Sequence, residues 1–267
     1  MTAGIAGVMG LALAAGGGGG GVSVSQLREA LRAYDASAVH KAPSLTDAQL
    51  QALIDGDCVR VLQPNEDPTG PSAATGLVLS TLPRGDLWIA AQDPHTQVDP
   101  DLTEFVVAQE GPDTEIWYGH WDLPRPVKDR QWVVRSYNNH ALAEATGNQA
   151  WEHVWRLVPD GLDLVRPLVA SGRSRGVGLA QLDDAIFTPV NHGSWFMIAV
   201  GDRTILGYQA TSVVGGAVPD WLVSRLAMAR LEGALREVED RARTWVDGHY
   251  DASHVGVFGG DGLPIPR

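Results

Sequence analysis

The sequence is short of several things, and each shortage removes a class of function. It has one cysteine, Cys58, in 267 residues. A single cysteine excludes an intramolecular disulfide and any cysteine-rich zinc site. It reads as a small buried hydrophobe at the start of a strand. Lysine is confined to Lys41 and Lys128, the other basic residues being arginines. Acidic residues outnumber basic ones 32 to 20, a formal charge of −12. A field of that sign repels phosphate backbones, so no nucleic-acid partner is expected, and it disfavours tight docking on an anionic membrane. The apolar run Ile5 to Ala15 falls short of the about 20 residues that a bilayer-spanning helix needs. It has the length of a secretory h-region, with Ala12-Leu13-Ala14 as a small-residue cleavage pattern, but no basic n-region precedes it. Glycines fill Gly16 to Gly21. Residues 1–24 are therefore either a signal peptide or a disordered glycine-rich tail, and export and a cytoplasmic location stay equally open.

Catalytic and cofactor signals are equally sparse. His120, His140, His153 and His192 are dispersed, with no H-E-x-x-H or His-x-His pattern, and no metal or cofactor is expected. The glycine run lacks the preceding strand and the G-K-[ST] ending of a phosphate loop. Gly172-Arg173-Ser174-Arg175-Gly176 does spell G-x-S-x-G, with Asp183, Asp184 and His192 downstream in hydrolase order. That chemistry needs a strained strand-to-helix elbow in a parallel sheet. The strand spacing offers no such sheet, and two arginines beside Ser174 read as a solvated loop.

What is present is a patterned α+β chain. Ser23 to Asp35 reads as a helix capped by Ser25, with Leu27, Ala30, Leu31 and Tyr34 on one face. A second helix starts at Ser44-Leu45-Thr46-Asp47 and ends at Gly56. Strands follow at Cys58 to Leu62 and Thr75 to Thr81, then a short helix opening at Pro83-Arg84-Gly85-Asp86 and a turn-rich connection from Asp93 to Asp101. Strand patterns recur at Glu104 to Gln109, Glu115 to Trp121, Arg130 to Tyr137, Trp151 to Val158, Leu162 to Val169, Ala185 to Val190, Ser194 to Val200 and Arg203 to Val213. Their close spacing predicts an antiparallel meander. The last element is a helix from Pro219, with Trp221, Met228, Leu231, Leu235, Val238, Ala242 and Trp245 at three- and four-residue steps. About 28 residues at 1.5 Å each make a rod of roughly 40 Å. Gly233 within it suggests the close approach of something large. After His249 an irregular tail is expected.

This order of elements resembles the helix-grip fold of the START-like lipid-binding superfamily, which also holds birch-pollen-type allergens and polyketide cyclases. Four stretches carry the resemblance: W-D-L-P-R-P-V-K-D-R at Trp121 to Arg130, H-G-S-W-F-M-I at His192 to Ile198, R-T-I-L-G-Y-Q at Arg203 to Gln209, and the passage G-G-A-V-P-D-W-L into the final helix. They imply a START-like domain at residues 44–248, flanked by an N-terminal helix at 25–43 and a tail at 249–267. The implied architecture is a curved antiparallel sheet wrapped around a long C-terminal helix, with a hydrophobic cavity between them. Most members of that superfamily carry no catalytic residues. The expected partner is a hydrophobic small molecule or lipid, of lipid, sterol-like or isoprenoid type, with membrane contact at most transient. No particular oligomeric state is implied.

The candidate ligand-binding residues are Trp117, Trp121, Trp132, Arg135, Tyr137, Trp155, Trp195, Met197, Tyr208, Trp221 and Met228. A cavity binder needs apolar walls and a few orienting polar groups. Trp117 and Trp121 share strand parity, as do Trp151 and Trp155. Arg135 has the parity of Gln131, Val133 and Tyr137, opposite to Trp132; turned inward it would suit a ligand carboxylate or phosphate. Core packing is the competing role for each tryptophan. An alternative use of the same cavity is polyketide cyclase or aromatase chemistry, with Arg135, Tyr137, His153 and His192 as the acid–base candidates.

Overall fold

The computed structural model describes residues 21–65, 70–92, 101–174, 176–216, 220–245 and 257–265, with backbone only at 220–224, 226 and 245. The expectations for residues 1–20, for most of the Asp93 to Asp101 connection and for residues 249–256 lie outside the described residues.

The chain begins with α1 (Val24–Asp35) and α2 (Asp47–Ile54). Ser23, not Ser25, caps α1: its hydroxyl accepts from the Gln26 N–H at 3.4 Å, and the Gln26 side chain accepts from the Ser23 N–H at 2.9 Å. Thr46 and Gln49 repeat this reciprocal arrangement at the start of α2. Gly56, at φ +94°, then turns the chain into β1 (Val59–Gln63). There follow β2 (Ala73–Ser80), α3 (Arg84–Gln92), β3 (Leu102–Gln109), β4 (Thr114–Trp121), β5 (Arg130–Asn138), α4 (His140–Ala145), β6 (Ala150–Leu157), α5 (Leu162–Ala170), α6 (Leu179–Asp184), β7 (Ile186–Phe187), β8 (Val190–Val200), β9 (Arg203–Val213) and α7 (Asp220–Trp245).

The strands form one sheet in the order β1-β2-β9-β8-β6-β5-β4-β3. All neighbours are antiparallel except the short β7, which pairs parallel to β5 through Arg130 and Gln131. The run β3 to β6 is the expected meander, and β9 then returns beside β2. One expected strand is a helix. In α5 the apolar residues Val165 and Val169 are buried at helical spacing, while Leu164 points outward. Val165 and Val169, four residues apart, share a face in a strand as well as in a helix, so their spacing does not separate the two. Two short helices, α4 and α6, escaped the sequence reading; six residues hold too few turns to show a period.

The helices lie on both faces. On the convex face, α1 and α2 bury Leu27, Leu31, Tyr34, Leu50 and Leu53 against Leu77, Phe196, Ile198 and Ile205. Further along that face, α5 and α6 cover Phe105, Ile116, Tyr118 and Val133. On the concave face, α7 and α3 close over Val78, Leu206, Met197 and Trp151. Leu231, Leu235, Val238 and Ala242 form the buried stripe of α7, as its spacing predicts. Gly233 is not the point of close approach; a β-carbon there would meet nothing within 4 Å. That point is Gly76 on β2, where a β-carbon would lie 2.9 Å from Leu235 and 3.1 Å from Leu231. The missing side chain lets the helix settle onto the sheet.

Candidate ligand-binding hollow

Residues paired across an antiparallel ladder share a face. The register therefore fixes which side chains look toward α7. Gly76 faces the helix and pairs with Tyr208, Tyr208 with Trp195, Trp195 with His153, and His153 with Asn138. Continuing outward, Trp155 pairs with Ser136, Trp117 with Val134, Gly119 with Trp132 and with Glu104, and Trp121 with Arg130 and Leu102. One concave face thus holds Trp117, Trp121, Trp132, Trp155, Trp195, Met197 and Tyr208.

These residues divide by what covers them. Met197 is fully buried beneath α7, and Trp195 and Tyr208 flank that same packed region. Trp117, Trp121, Trp132 and Trp155 are only half-buried and join none of the core clusters among the described residues. On the convex side of the same strands, α5 and α6 are fully packed. The concave half of β3, β4, β5 and β6 is thus an aromatic surface left half-buried by the described residues, and it is the candidate wall of a ligand-binding hollow. Trp155 stacks on Tyr208 at 5.5 Å between ring centroids, and Trp195 meets Tyr208 at 4.5 Å. The Trp155 indole N–H donates to Asn191 Oδ1 at 3.0 Å. Trp132 lies flat where Gly119 lacks a side chain, since a β-carbon there would collide with its ring. From α7, the Arg230 guanidinium stands 5.3 Å from the Trp121 ring centroid, so the helix reaches β4.

Among the described residues the polar groups on this face are few, as a site that orients an apolar molecule requires. Ser136 Oγ is buried on this face without a hydrogen-bond partner among the described residues. Glu104, on the edge strand β3, is exposed and pairs with Gly119 on this face. Desolvation pushes that carboxyl up to about 7. Burial, and then the Glu104 charge, push the Tyr208 hydroxyl up to about 12. Four strands separate β3 from β9, so the sheet must curl strongly for these two groups to interact across the gap.

His153 also faces inward. Its Nδ1 lies 2.7 Å from Asn138 Oδ1, and burial holds it down to about 4. The Asn138 amide in turn donates to the carbonyls of Phe258 and Gly259, and Trp88 Nε1 donates to Phe258 at 2.8 Å. These bonds fasten the C-terminal segment, whose described part makes one bridge, Phe258 to Pro264.

Arg135 and Tyr137 are corrections to the candidate set. Their parity, opposite to Trp132, puts both on the convex face. There they line a shallow cleft of about 370 Å³ with Asp113, His140 and Arg156, and Arg135 pairs with Glu110 at 2.6 Å. His192 is on that face too, stacked on His40 at 5.4 Å. The four acid–base candidates of the cyclase reading are therefore split between two faces. Met228 is half-buried on α7, and the Trp221 side chain lies outside the described residues. Among the described residues no group of three or more His, Cys, Asp or Glu could hold a metal ion. The G-x-S-x-G loop follows a helix, and Ser174 donates to the Val177 carbonyl at 2.7 Å. Asp183 and Asp184 pair with Arg166 and Lys128, so no triad forms. Asp129 and Arg130 are structural: Asp129 accepts from the Leu123 N–H at 3.0 Å, and Arg130 donates to the Gly215 carbonyl at 3.0 Å.

Glu104 and Ser136 escaped the sequence reading. A glutamate on a strand looks like any solvated edge residue. Only its pairing with Gly119 places it on the face that α7 covers further along the sheet.

No protein-family model and no curated protein sequence matches this chain. Solved structures do. Human STARD10 superposes with a TM-score of 0.53 at 12% identity, covering 77% of this chain and 82% of that one. The STAR-related lipid transfer protein from Xanthomonas axonopodis gives 0.51 at 17%, covering 71% and 99%. Human StAR-related lipid transfer protein 5 gives 0.51 at 12%, covering 81% and 97%. The fold is therefore the α+β helix-grip fold of START domains.

Proposed function

We propose that this protein binds a hydrophobic small molecule of lipid, sterol-like or isoprenoid type in the hollow between the concave face and α7, and carries or senses it. The observation that carries the reading is the row Trp117, Trp121, Trp132 and Trp155, half-buried, turned inward and outside the packed cores among the described residues. Four indoles left part-exposed to a water-filled gap are costly; an apolar occupant removes that cost by covering them. The fold supports the same use, since two of the similar structures are described as lipid transfer proteins. The ligand-contacting set we assign is Trp117, Trp121, Trp132, Trp155, Trp195 and Tyr208, with Met228 on the helix. Contact with a membrane is transient in this reading, because the charge of −12 disfavours residence on an anionic surface.

Native mass spectrometry of protein purified without detergent, followed by organic extraction, tests the proposal. The expected result is a discrete apolar adduct or, in emptied protein, saturable tryptophan quenching by added lipid. Protein that shows neither refutes the reading.

A further inference from the structure

We infer that the convex-face cleft binds a phosphate group between Arg135 and Arg156, at a site separate from the hollow and independent of its occupant. The two arginines are direct cross-strand partners on β5 and β6. Like charges placed opposite each other on a ladder oppose folding, so such a pair calls for a counter-charge. Among the described residues none is built into the row. Beyond Arg135 the row meets Ile116, and beyond Arg156 it meets His192, whose ring is stacked on His40. Along the strands the same-face neighbours are Val133 and Tyr137 beside Arg135, and Val154 beside Arg156. The helical covers stop on either side: α5 and α6 bury Ile116 and Val133, while α1 and α2 rest on Phe196, Ile198 and Ile205. The two arginines therefore surface in the gap between those covers, in the cleft of about 370 Å³.

The carboxylates at the cleft among the described residues, Asp113 and Glu110, are both engaged. Asp113 pairs with His140, and Glu110 takes the Arg135 Nε–H at 2.6 Å. The terminal nitrogens of Arg135 and the whole Arg156 side chain make no hydrogen bond or ion pair among the described residues. The Tyr137 hydroxyl, which lines the same cleft, has no partner there either. A phosphate group fits this donor set better than a carboxylate. Its tetrahedral oxygens can accept from guanidinium forks on two strands and from Tyr137 at once, whereas the two oxygens of a carboxylate are filled by one fork. Glu110 offsets Arg135, so the surplus charge is that of Arg156, which a phosphate ester cancels. On a chain with a charge of −12, phosphate binding needs a local concentration of cations such as this one.

Isothermal titration calorimetry with inorganic phosphate and phenyl phosphate, against acetate and chloride at matched ionic strength, tests the site. Saturable phosphate binding is expected, with acetate weaker by about tenfold or more. R156Q and R135Q should each weaken phosphate binding about tenfold, roughly 1.4 kcal/mol. R166Q, which removes a similarly exposed arginine on α5, should change nothing. Removing one of two opposed like charges should leave the urea midpoint of R156Q unchanged or raised. Sedimentation with phosphatidylcholine vesicles, with and without phosphatidic acid, separates the sources of the group. Recruitment by phosphatidic acid that R156Q abolishes assigns a lipid headgroup; binding of free phosphate without recruitment assigns a soluble phosphate ester; either supports the site. Neither phosphate binding nor recruitment, acetate bound as tightly as phosphate, or an R166Q loss equal to that of R156Q overturns the inference. A midpoint lowered by R156Q overturns it too, because the arginine would then serve the fold.

Discussion

Replacing Glu152 by Gln tests how the N-terminal helices are attached to the sheet. Glu152 is fully buried on the convex face of β6. Its Oε1 faces the Tyr34 hydroxyl at 3.1 Å and the His40 N–H at 3.0 Å; its Oε2 accepts from the Val39 N–H and the Asn139 amide, each at 2.8 Å. An amide nitrogen at the Oε2 position would oppose two donors. At the Oε1 position it can donate to the Tyr34 oxygen, because that hydroxyl also lies 2.9 Å from the His40 carbonyl and can turn its proton there. The milder arrangement still strands the His40 N–H, at about 1–3 kcal/mol, and weakens the remaining charge-assisted bonds. The expected loss is therefore roughly 2–4 kcal/mol, read as a lower urea midpoint at unchanged slope. Tyr34→Phe should cost less, about 1–2 kcal/mol. The double variant should fall short of the sum, since both changes remove one shared bond. Ligand affinity should stay unchanged, because Glu152 faces away from the hollow. An E152Q loss below about 1 kcal/mol would refute the claim that this carboxylate clamps residues 34–40 to the sheet.

Other consequences are open to measurement. Trp132→Ala and Trp155→Ala should each weaken binding of an apolar ligand about tenfold, roughly 1.4 kcal/mol, with little change in the urea midpoint; a full core penalty and unaltered affinity would return these rings to a packing role. Gly76→Val should cost about 1–3 kcal/mol by pushing Leu231 and Leu235 of α7 off β2; a neutral midpoint would refute that contact. His40 and His153 are held down to about 4, against 6.5 when unfolded. The stability they contribute is fully present above about 6.5 and is lost as pH falls toward about 4, so His153→Gln should flatten that acid limb. Glu104 acts in the opposite sense. Raised from 4.5 to about 7, its contribution is present below about 4.5 and lost as pH rises through about 7, and E104Q should remove that decline.

The fold was legible wherever a periodic stripe ran long enough. The α7 spacing from Leu231 to Ala242 marks the buried face, and alternation marks most strands to within a few residues. The failures share a cause. In α5, Leu162, Val165, Val169 and the intervening apolar residues fit both a strand and a short helix, and the choice was made by what α5 covers, namely the convex face of β3 to β5. A sequence read locally does not contain that information. Gly233 and Gly76 show the same limit. Both are glycines on a helix–sheet pair, and only the docking of α7 decides which of the two is the contact.

The hollow was legible in half. Parity alone grouped Trp117 with Trp121 and set Arg135 and Tyr137 on the opposite face from Trp132, and the register confirms that arrangement. Parity does not say which face is concave, or how far the sheet curls. The curl comes from long-range closure: β2 returns to pair with β9, α7 lies across both, and β3 is carried round until the Glu104 charge is felt at Tyr208. A flat sheet with the same pairing would hold those two residues five strand spacings apart, about 24 Å. At that separation, more than twice the screening length of physiological salt, no interaction would survive in water. The curl is thus a product of long-range pairing, and strand patterning alone leaves Glu104 among the solvated edge residues.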